Sequence, residues 1–214
     1  MTESNARPIG RRLTLALALS LVAGVLAGCI SLLPKETPVQ LYRFEYEPAA
    51  PVSRPVAGAP FTVRAMMSAF TLGAAGDKIL TVHGDTVSYI DSGRWVAPAN
   101  SLMEEAVHAA FFARGPANLF ARSEIGPSDY RLTVAVPTFE ARYLGEPSEP
   151  PTIVVEMTAS LEKIGDVSSR REKVFSAQMR AQSNSVRSIV DAFDGAVTQV
   201  LNQLVAWTDA KGEA

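Results

Sequence analysis

The chain has 214 residues, of which 20 are basic and 22 acidic, so its composition lacks the positive charge expected of a nucleic-acid-binding protein. Because 47% of the residues are hydrophobic and 20% are charged, the sequence is typical of a folded globular protein rather than a disordered or collagen-like chain. The one cysteine excludes an internal disulfide framework, a cysteine-rich zinc site and a paired-thiol redox motif. The length allows one domain with extensions at its ends.

The N-terminal residues predict an export signal. Three arginines among the first 12 residues precede an uncharged stretch, residues 13–34, that begins with an apolar run. A basic end followed by about 7–15 apolar residues is the pattern of a secretory signal peptide. The alternative is a transmembrane helix, which needs about 20 apolar residues. The stretch reaches that length only if Ser31 and Pro34 are counted.

This segment ends in a sequence that resembles the bacterial lipobox. Residues 26–29 are Leu-Ala-Gly-Cys, which is an aliphatic residue, two small residues and a cysteine. Small residues let an extended backbone enter the signal peptidase, and only the thiol of Cys29 can form a thioether to a diacylglyceryl group. We therefore predict a signal peptide over residues 1–28, diacylglyceryl and acyl groups such as palmitate on Cys29, and no other cofactor. Two or more acyl chains make an effectively permanent membrane anchor.

The residue after the cysteine indicates which membrane holds the anchor. In bacteria with two membranes, an aspartate at this position commonly retains lipoproteins in the inner membrane. The residue here is Ile30. We therefore expect a protein anchored in the outer membrane and facing the periplasm, with the inner membrane as the alternative.

The mature chain divides into an extension, residues 29–60, and a globular domain, residues 61–214. In the extension, residues 42–47 alternate aromatic with charged side chains, which predicts a half-buried strand. Four prolines between residues 48 and 60 interrupt a stretch without periodicity, which predicts a semi-extended linker. The first strand is thus separated from the domain in sequence but can still pair with its sheet.

Within the domain, alternating apolar residues predict strands, and apolar residues three and four apart predict helices. The predicted strands cover residues 61–68, 78–83, 86–90, 119–120, 130–136, 152–162 and 175–181. The predicted helices cover residues 98–113 and 186–204. Turns are expected at 84–85, 91–93 and 165–173, and a polar loop at 145–151.

Two local signals refine these elements. Pro137 cannot donate a ladder hydrogen bond, so its strand has a bulge or lies at an edge there. Asn184 or Ser185 is the expected N-cap of the last helix. The grouping of the strands with only two helices predicts an α+β fold, with a mixed, mostly antiparallel sheet and the two main helices packed on one face.

No catalytic constellation is visible in the sequence. His83 and His108 are the only neutral-pH acid–base groups, and Glu104 lies one helical turn before His108. Glu104, Glu105 and His108 lie off the apolar stripe of their helix and are expected to form a solvated face. The sequence lacks a nucleophile elbow, a phosphate loop, an HExxH motif and a dinucleotide-binding glycine motif. We therefore expect a protein that is not an enzyme and binds no metal.

An ordered set of short motifs in the mature chain resembles the ABC-type transport auxiliary lipoprotein family. A tyrosine-containing strand follows the lipidated cysteine, an Arg-Trp-x-x-Pro stretch leads into a helix, and an Asp-Tyr-x-Leu strand ends in Phe-Glu. In this sequence the motif residues are Tyr42, Tyr89, Arg94, Trp95, Pro98, Asp129, Tyr130, Leu132, Phe139 and Glu140. The departures from the family pattern are Val96-Ala97, where alanine followed by an acidic or small residue is more common, and a longer proline-rich linker.

The family comprises outer-membrane lipoproteins that accompany MCE-type lipid transport systems and includes the paraquat-inducible lipoprotein C group. The resemblance implies an adaptor whose partner is the MCE-domain protein of an ABC lipid transport system, with a homo-oligomer left open. One alternative is a periplasmic module that itself encloses an acyl chain. A third reading is a surface hydrolase or an assembly factor for another envelope machine. An intact core between the last helix and the sheet would favour the adaptor, and a continuous apolar cavity the carrier.

Some of these residues have expected structural or binding roles. We expect Arg94, Trp95, Pro98, Asp129 and Tyr130 to be structural. Trp95 should fill the rim of the core with its indole N–H on a backbone carbonyl, and Arg94 should brace a neighbouring carboxylate. The residues expected to present a surface to partners are Phe112, Tyr143 and Leu144.

Overall fold

The computed structural model describes residues 39–48, 61–114, 118–120 and 126–211. The predicted signal peptide, Cys29 and the proline-rich linker after residue 48 lie outside the described residues. The structure has an α+β fold, as the sequence predicts. Its strands are β1 (Gln40–Tyr42), β2 (Thr62–Phe70), β3 (Lys78–His83), β4 (Thr86–Trp95), β5 (Asn118–Phe120), β6 (Tyr130–Tyr143), β7 (Thr152–Lys163) and β8 (Asp166–Arg180). The helices are α1 (Ala99–Arg114) and α2 (Val186–Asp209).

Strand β6 is the centre of the sheet, and its two edges are used differently. Along one edge it pairs with β7 in antiparallel orientation, and β7 pairs in the same way with β8. The opposite edge is shared by two parallel partners, with β2 on the first half of β6 and β3 on residues 141–143. The register shifts between Ala135 and Thr138, so Pro137 lies in a bulge where β6 passes from β2 to β3. This confirms the bulge that the proline predicts.

The remaining strands complete a mixed sheet. Strands β3 and β4 form the expected hairpin around Gly84-Asp85, and Gly84 has the positive φ (57°) that a tight turn needs. Strand β1 adds to β4 and β5 adds to β2, each in parallel orientation. The two longest pairings, β6 with β7 and β7 with β8, are antiparallel. The mixed, mostly antiparallel sheet is therefore confirmed.

Two stretches predicted as turns are strand instead. Residues 91–93 continue β4, because β1 pairs with Gly93, Arg94 and Trp95 and keeps them in the ladder. Residues 166–173 belong to β8, and the turn before them is only Ile164-Gly165. Most side chains over residues 166–172 are exposed, so no apolar alternation marks that half of the strand. Its pairing with β7 alone holds it in the sheet.

The core lies between the sheet and the two helices. Helix α2 packs against β7 and β8, while α1 packs against α2 and β5. Phe193 of α2 is fully buried, with its ring centroid 4.7 Å from that of Phe139 in β6, which confirms the predicted apolar stripe. Further along α2, the rings of Trp207 and Phe175 lie 5.7 Å apart. One contiguous cluster therefore joins both helices to one face of the sheet.

Each helix begins at a defined cap. The first two N–H groups of α1, from Ala99 and Asn100, donate to the carbonyl oxygens of Gly76 and Ala75 in the loop after β2. Helix α2 starts at Ser185, whose side chain accepts a hydrogen bond from the N–H of Ser188. Of the two predicted caps, Ser185 is therefore the one used.

Candidate functional site

Residues 39–48, called the N-terminal arm below, are the first described segment of the chain and include β1. The predicted strand over residues 42–47 is wrong in its bounds, since the ladder ends at Tyr42. The predicted alternation is confirmed, because Phe44 and Tyr46 are 1% and 6% exposed while Arg43, Glu45 and Glu47 are exposed. The arm is therefore extended and half-buried without being paired to another strand beyond Tyr42.

Side chains of α2 replace the missing ladder. The N–H of Glu45 donates to Oδ1 of Asp194 at 3.0 Å, and the N–H of Glu47 donates to Oγ1 of Thr198 at 3.1 Å. The hydroxyl of Tyr46 donates to Oδ1 of a third residue four positions further on, Asn202, at 2.8 Å. Residues four apart lie on one side of a helix. Helix α2 thus presents a row of three acceptors along which the arm is laid.

The arm also contacts α1. Nη2 of Arg43 lies 2.6 Å from Oε2 of Glu105, although both side chains are more than half exposed and such a pair contributes little to stability. A small cleft of about 70 Å³ runs between the arm and α1, lined on the helix side by Leu102, Glu105, Ala106 and Ala109. The arm therefore bridges the two helices, with side-chain hydrogen bonds to α2 and an ion pair to α1.

Asp194 lies in an unfavourable electrostatic environment. Its side chain is half-buried, and desolvation is the main reason that its pKa is raised from 3.8 to about 6. The carboxylates of Glu47, Asp191 and Glu45 raise the pKa further, while the hydrogen bond from the N–H of Glu45 opposes the shift. The carboxylates of Glu45 and Glu47 in the arm therefore lie close enough to Asp194 to disfavour its charged form.

Trp95 connects the arm to the core. Its side chain is 1% exposed, and its ring lies 5.0 Å from Phe44 and 5.3 Å from Phe193, both in edge-on contacts. Trp95 is a core residue but does not lie at the expected rim, and the expected hydrogen bond is wrong. Nε1 of Trp95 has no hydrogen-bond partner among the described residues. The indole lies deeper than the core rim, where aromatic rings surround it.

The neighbouring motif residues shape the corner before α1. Arg94 lies 3.7 Å from the carboxylate of Asp77, the kind of neighbour expected for it. The carbonyl oxygen of Pro98 accepts hydrogen bonds from the N–H groups of Ser101 and Leu102, so this proline starts the helix. These contacts join the loop after β2 to the end of β4.

Asp129 and Tyr130 lie at the start of β6. Oδ2 of Asp129 accepts hydrogen bonds from the N–H of Thr62 at 2.7 Å and from its hydroxyl at 2.9 Å. These two hydrogen bonds lower the pKa of Asp129 below 3.8. The ring of Tyr130 lies 5.4 Å from Phe61 in an edge-on contact. Through these contacts Asp129 and Tyr130 hold the start of β6 against the start of β2.

The three residues expected to present a partner surface do not lie together. Phe112 is 57% exposed near the end of α1, and the next strand, β5, pairs with the first residues of β2. These residues of β2 lie beside the start of β6. Tyr143 ends β6, and Leu144, 75% exposed, follows it. A strand rises about 3.3 Å per residue, so the two ends of β6 are about 40 Å apart. The hydroxyl of Tyr143 donates to Oδ1 of Asn184 at 2.7 Å, and burial raises the pKa of this phenol.

The two histidines lie at the surface of the domain. His83 is exposed at the β3–β4 turn, and His108 is half-exposed on α1 beside the exposed Glu104 and Glu105. These α1 residues line an open surface depression together with Ser101. Within residues 39–48, 61–114, 118–120 and 126–211, no cluster of three or more His, Cys, Asp or Glu could hold a metal ion. Over the same residues, neither helix is long and apolar enough to cross a bilayer.

The acceptor row on α2 was missed by the sequence reasoning. A usable signal exists, because Asp194, Thr198 and Asn202 are polar residues spaced by four beside an apolar stripe. The aromatic–charged alternation of the arm indicates an extended segment with spare backbone donors. Together these two patterns predict a helix side that binds an extended segment, whereas each alone is ordinary.

Comparison with solved structures shows the same fold in other proteins. A crystal structure of a Xanthomonas campestris protein of the DUF330 family superposes with a TM-score of 0.63 at 24% identity, covering 81% of this chain and 97% of that chain. A second crystal structure, of an uncharacterized protein, gives a TM-score of 0.62 at 16% identity, covering 80% and 99% respectively. None of the curated protein sequences matches the chain.

The family comparison covers most of the domain, including α1, most of α2 and the corner before α1, but not the N-terminal arm. The family model for the ABC-type transport auxiliary lipoprotein component matches residues 74–205. The match runs from the loop after β2 to the last turns of α2, and it includes the Trp95 corner and the acceptor row. The chain therefore belongs to the ABC-type transport auxiliary lipoprotein family.

Proposed function

We propose that the chain is the adaptor lipoprotein of an MCE-type lipid transport system. Lipid groups on Cys29 anchor it in the outer membrane, and its domain faces the periplasm and binds the MCE-domain protein without catalytic turnover. Membership of the auxiliary lipoprotein family supports association with an ABC-type transport system. The choice of an MCE partner rests on the motif resemblance around Arg94, Trp95 and Pro98.

The packing between α2 and the sheet supports an adaptor over a carrier. The ring of Phe193 fills the space between α2 and Phe139 at a centroid distance of 4.7 Å. Two residues after Phe193, a Cβ on Gly195 would collide with Sδ of Met179, so helix and sheet approach as closely as these residues allow. Pockets that enclose a lipid-sized ligand have volumes of about 300–1,000 Å³. Side chains occupy the place where such a pocket would separate α2 from β6 and β8.

Affinity purification from membranes tests the adaptor proposal. The tagged, lipidated protein should co-purify with the MCE-domain protein from the organism that encodes it. Phe112→Ala combined with Leu144→Ala should reduce the amount of recovered partner, because both substitutions remove exposed apolar side chains that could contact it. The two residues lie on different sides of the domain, so the double variant tests both surfaces. Val174→Ala, which also removes an exposed aliphatic side chain, is the matched control. Absence of any MCE-domain protein with the wild type would reject the proposal.

Lipid extraction from the same preparation separates the adaptor from the carrier. An adaptor should carry only its covalent acyl groups after delipidation in detergent. A non-covalent lipid present at one molecule per chain would favour a carrier instead. This measurement does not depend on which partner is recovered.

The proposed absence of catalysis has its own test. Both histidines are exposed or half-exposed, and among the described residues neither belongs to a group of three or more His, Cys, Asp or Glu that could hold a metal ion. The double variant His83→Ala, His108→Ala should therefore retain the transport-linked phenotype. Severe loss of function in a variant that remains folded and abundant would revive the enzyme interpretation.

A further inference from the structure

Exposed apolar side chains are concentrated at one margin of the sheet. The described residues include eleven large hydrophobic side chains that are exposed. Six of them lie in β1 or β4, next to one of these strands, or in the loop after β2 that β4 contacts: Val39, Leu41, Leu72, Val87, Tyr89 and Val96. We infer that this region, called the β1–β4 margin below, rests on the lipid surface of the membrane, an inference that depends on the proposed anchoring at Cys29.

The ladder between β3 and β4 brings several of these side chains onto one face. Residues opposite each other in a ladder share a face, and so do residues two apart in a strand. Tyr89 lies opposite Leu80, and Val87 lies two positions before Tyr89. The hydroxyl of Tyr89 donates to the carbonyl oxygen of Gly73 at 3.0 Å. Leu72, which is 93% exposed, therefore lies beside this pair of strands.

The same face continues onto β1. Nζ of Lys78 lies 5.0 Å from the ring centroid of Tyr89, and Lys78 is opposite Arg94 in the β3–β4 ladder. Arg94 is in turn opposite Leu41 of β1. The next residue in β4, Trp95, is buried in the core. Arg94 and Leu41 therefore face away from the helices.

The composition of this face suits a phospholipid surface. The aliphatic side chains of Leu41, Leu72 and Val87 are each more than half exposed. Tyr89 adds an amphipathic ring, and the exposed Lys78 adds an amine beside it. Aliphatic, tyrosine and basic side chains together are typical of surfaces that lie in the headgroup region, where the amine stays in water while the apolar atoms meet lipid.

The chain enters the domain at the same margin. Val39 is exposed, is the first described residue and directly precedes β1. Cys29, the predicted site of lipid attachment, is ten positions before Val39 in the sequence. A contiguous exposed apolar surface marks a protein or membrane interaction site. Because the proposed anchor lies in the bilayer, the lipid surface is the apolar partner adjacent to this margin.

This placement sets the orientation of the domain. The strands β1, β4, β3, β6, β7 and β8 follow one another across the sheet, so its two margins are five strand spacings apart, about 24 Å. With the β1–β4 margin on the lipid, β8 and its exposed Val174 lie on the side away from the membrane.

Quenching of a site-specific label by lipid tests the orientation. Lipid attachment consumes the thiol of Cys29, so an introduced cysteine is then the one free thiol of the chain. Leu72→Cys and Val87→Cys, each labelled with a nitrobenzoxadiazole fluorophore, are reconstituted as lipidated full-length protein in phosphatidylethanolamine–phosphatidylcholine vesicles containing a doxyl lipid. The emission of both labels should shift to the blue and be largely quenched. Val174→Cys, on the same tethered domain, is the matched control and should keep its emission.

Polar substitutions separate lipid contact from simple tethering. With the label at position 72, Leu41→Ser combined with Val87→Ser should weaken the quenching. Val167→Ser combined with Val174→Ser removes similarly exposed side chains from β8 and should leave the quenching unchanged. All four side chains are exposed, so thermal melting should match that of the wild type.

The outcomes distinguish this placement from the anchor on which it depends. Mass spectrometry of the same samples reports the lipid on Cys29. A lipidated protein whose label at position 72 is not quenched by lipid would overturn the inference alone, whether that label stays in water or is covered by a second copy of the chain. Equal quenching at positions 72 and 174 would also overturn it. A chain without lipid on Cys29 would reject the proposed anchor and the inference together.

Discussion

Thr62 and Asp129 hold the starts of β2 and β6 together by reciprocal hydrogen bonds. The N–H of Thr62 donates to Oδ2 of Asp129 at 2.7 Å, and the N–H of Asp129 donates back to the carbonyl oxygen of Thr62 at 3.0 Å. The carbonyl oxygen of Asp129 also accepts the N–H of Ile164, at the β7–β8 turn. One exposed aspartate thus joins three parts of the sheet.

The Asp129 contact predicts a pH-dependent contribution to stability. Its pKa is lowered in the folded protein, so the contribution is complete above about 3.8 and is lost as the pH falls below that value. Asp129→Asn should therefore reduce stability at pH 7 and have a smaller effect at pH 3. Urea denaturation of both proteins at the two pH values measures this. An equal difference at both would contradict the charged hydrogen bond as its source.

Truncation of Phe193 should be strongly destabilising. The side chain is fully buried against Phe139 and Trp95, so Phe193→Ala should cost about 3–5 kcal/mol in unfolding free energy. The exposed Phe112→Ala is the control, with an expected change within about 0.5 kcal/mol. Denaturant titration compares the two. If Phe193→Ala were as stable as the wild type, the assignment of this face of α2 to the core would be contradicted.

Two glycines should respond differently to alanine. At Gly93 a Cβ would lie 2.6 Å from Cγ1 of Val186 and 3.2 Å from the ring of Tyr42, and neither side chain can move away easily. Gly93→Ala should therefore cost about 1–3 kcal/mol and loosen the N-terminal arm. At Gly195 a Cβ would meet the side chain of Met179, which is flexible and can move aside. Alanine also favours the helix over glycine by about 1 kcal/mol, so Gly195→Ala should be nearly neutral.

Thermal melting of both glycine variants checks this order of stability. Val186→Ala provides the matched test, since it removes the methyl group that opposes a Cβ at position 93. Gly93→Ala should be less destabilising in a Val186→Ala background than in the wild type. A Gly195→Ala variant less stable than Gly93→Ala would contradict the assigned contacts.

The anchor predicted from the lipobox can be tested on the full chain. Cys29→Ser should abolish incorporation of labelled palmitate and leave the precursor uncleaved, because no other residue supplies a thiol. Ile30→Asp should keep acylation and move the protein to the inner-membrane fraction. Normal processing and membrane binding of Cys29→Ser would disprove the lipoprotein assignment, and an unchanged distribution of Ile30→Asp would disprove the sorting signal.

The elements that the sequence predicts well are those whose burial is periodic. Strand β7 alternates buried residues from Ile153 to Leu161, and α2 places its apolar stripe against the sheet, so burial alone identifies both. The first half of β8 is held by pairing with β7, and most of its side chains are exposed, so no burial pattern marks it. Pairing between distant segments cannot be read from a local pattern.

The same reason limits prediction of the candidate site. The arm was recognised as extended and half-buried because Phe44 and Tyr46 alternate with charged residues. Its partner could not be assigned, because Asp194 and Thr198 lie about 150 positions later in the chain. Their polar side chains are equally compatible with a solvated helix face.

One edge of β6 is shared by β2 and β3, and this has a consequence for the order of folding. The C-terminal half, β6 to α2, joins neighbours in sequence through hairpins, and such local contacts form quickly. Strand β2 pairs with residues more than 60 positions later, so its pairing is delayed until β6 is available. Until then one edge of β2 and the edge of β3 that faces β6 are open to aggregation. Pairing of β6 therefore closes both edges at once.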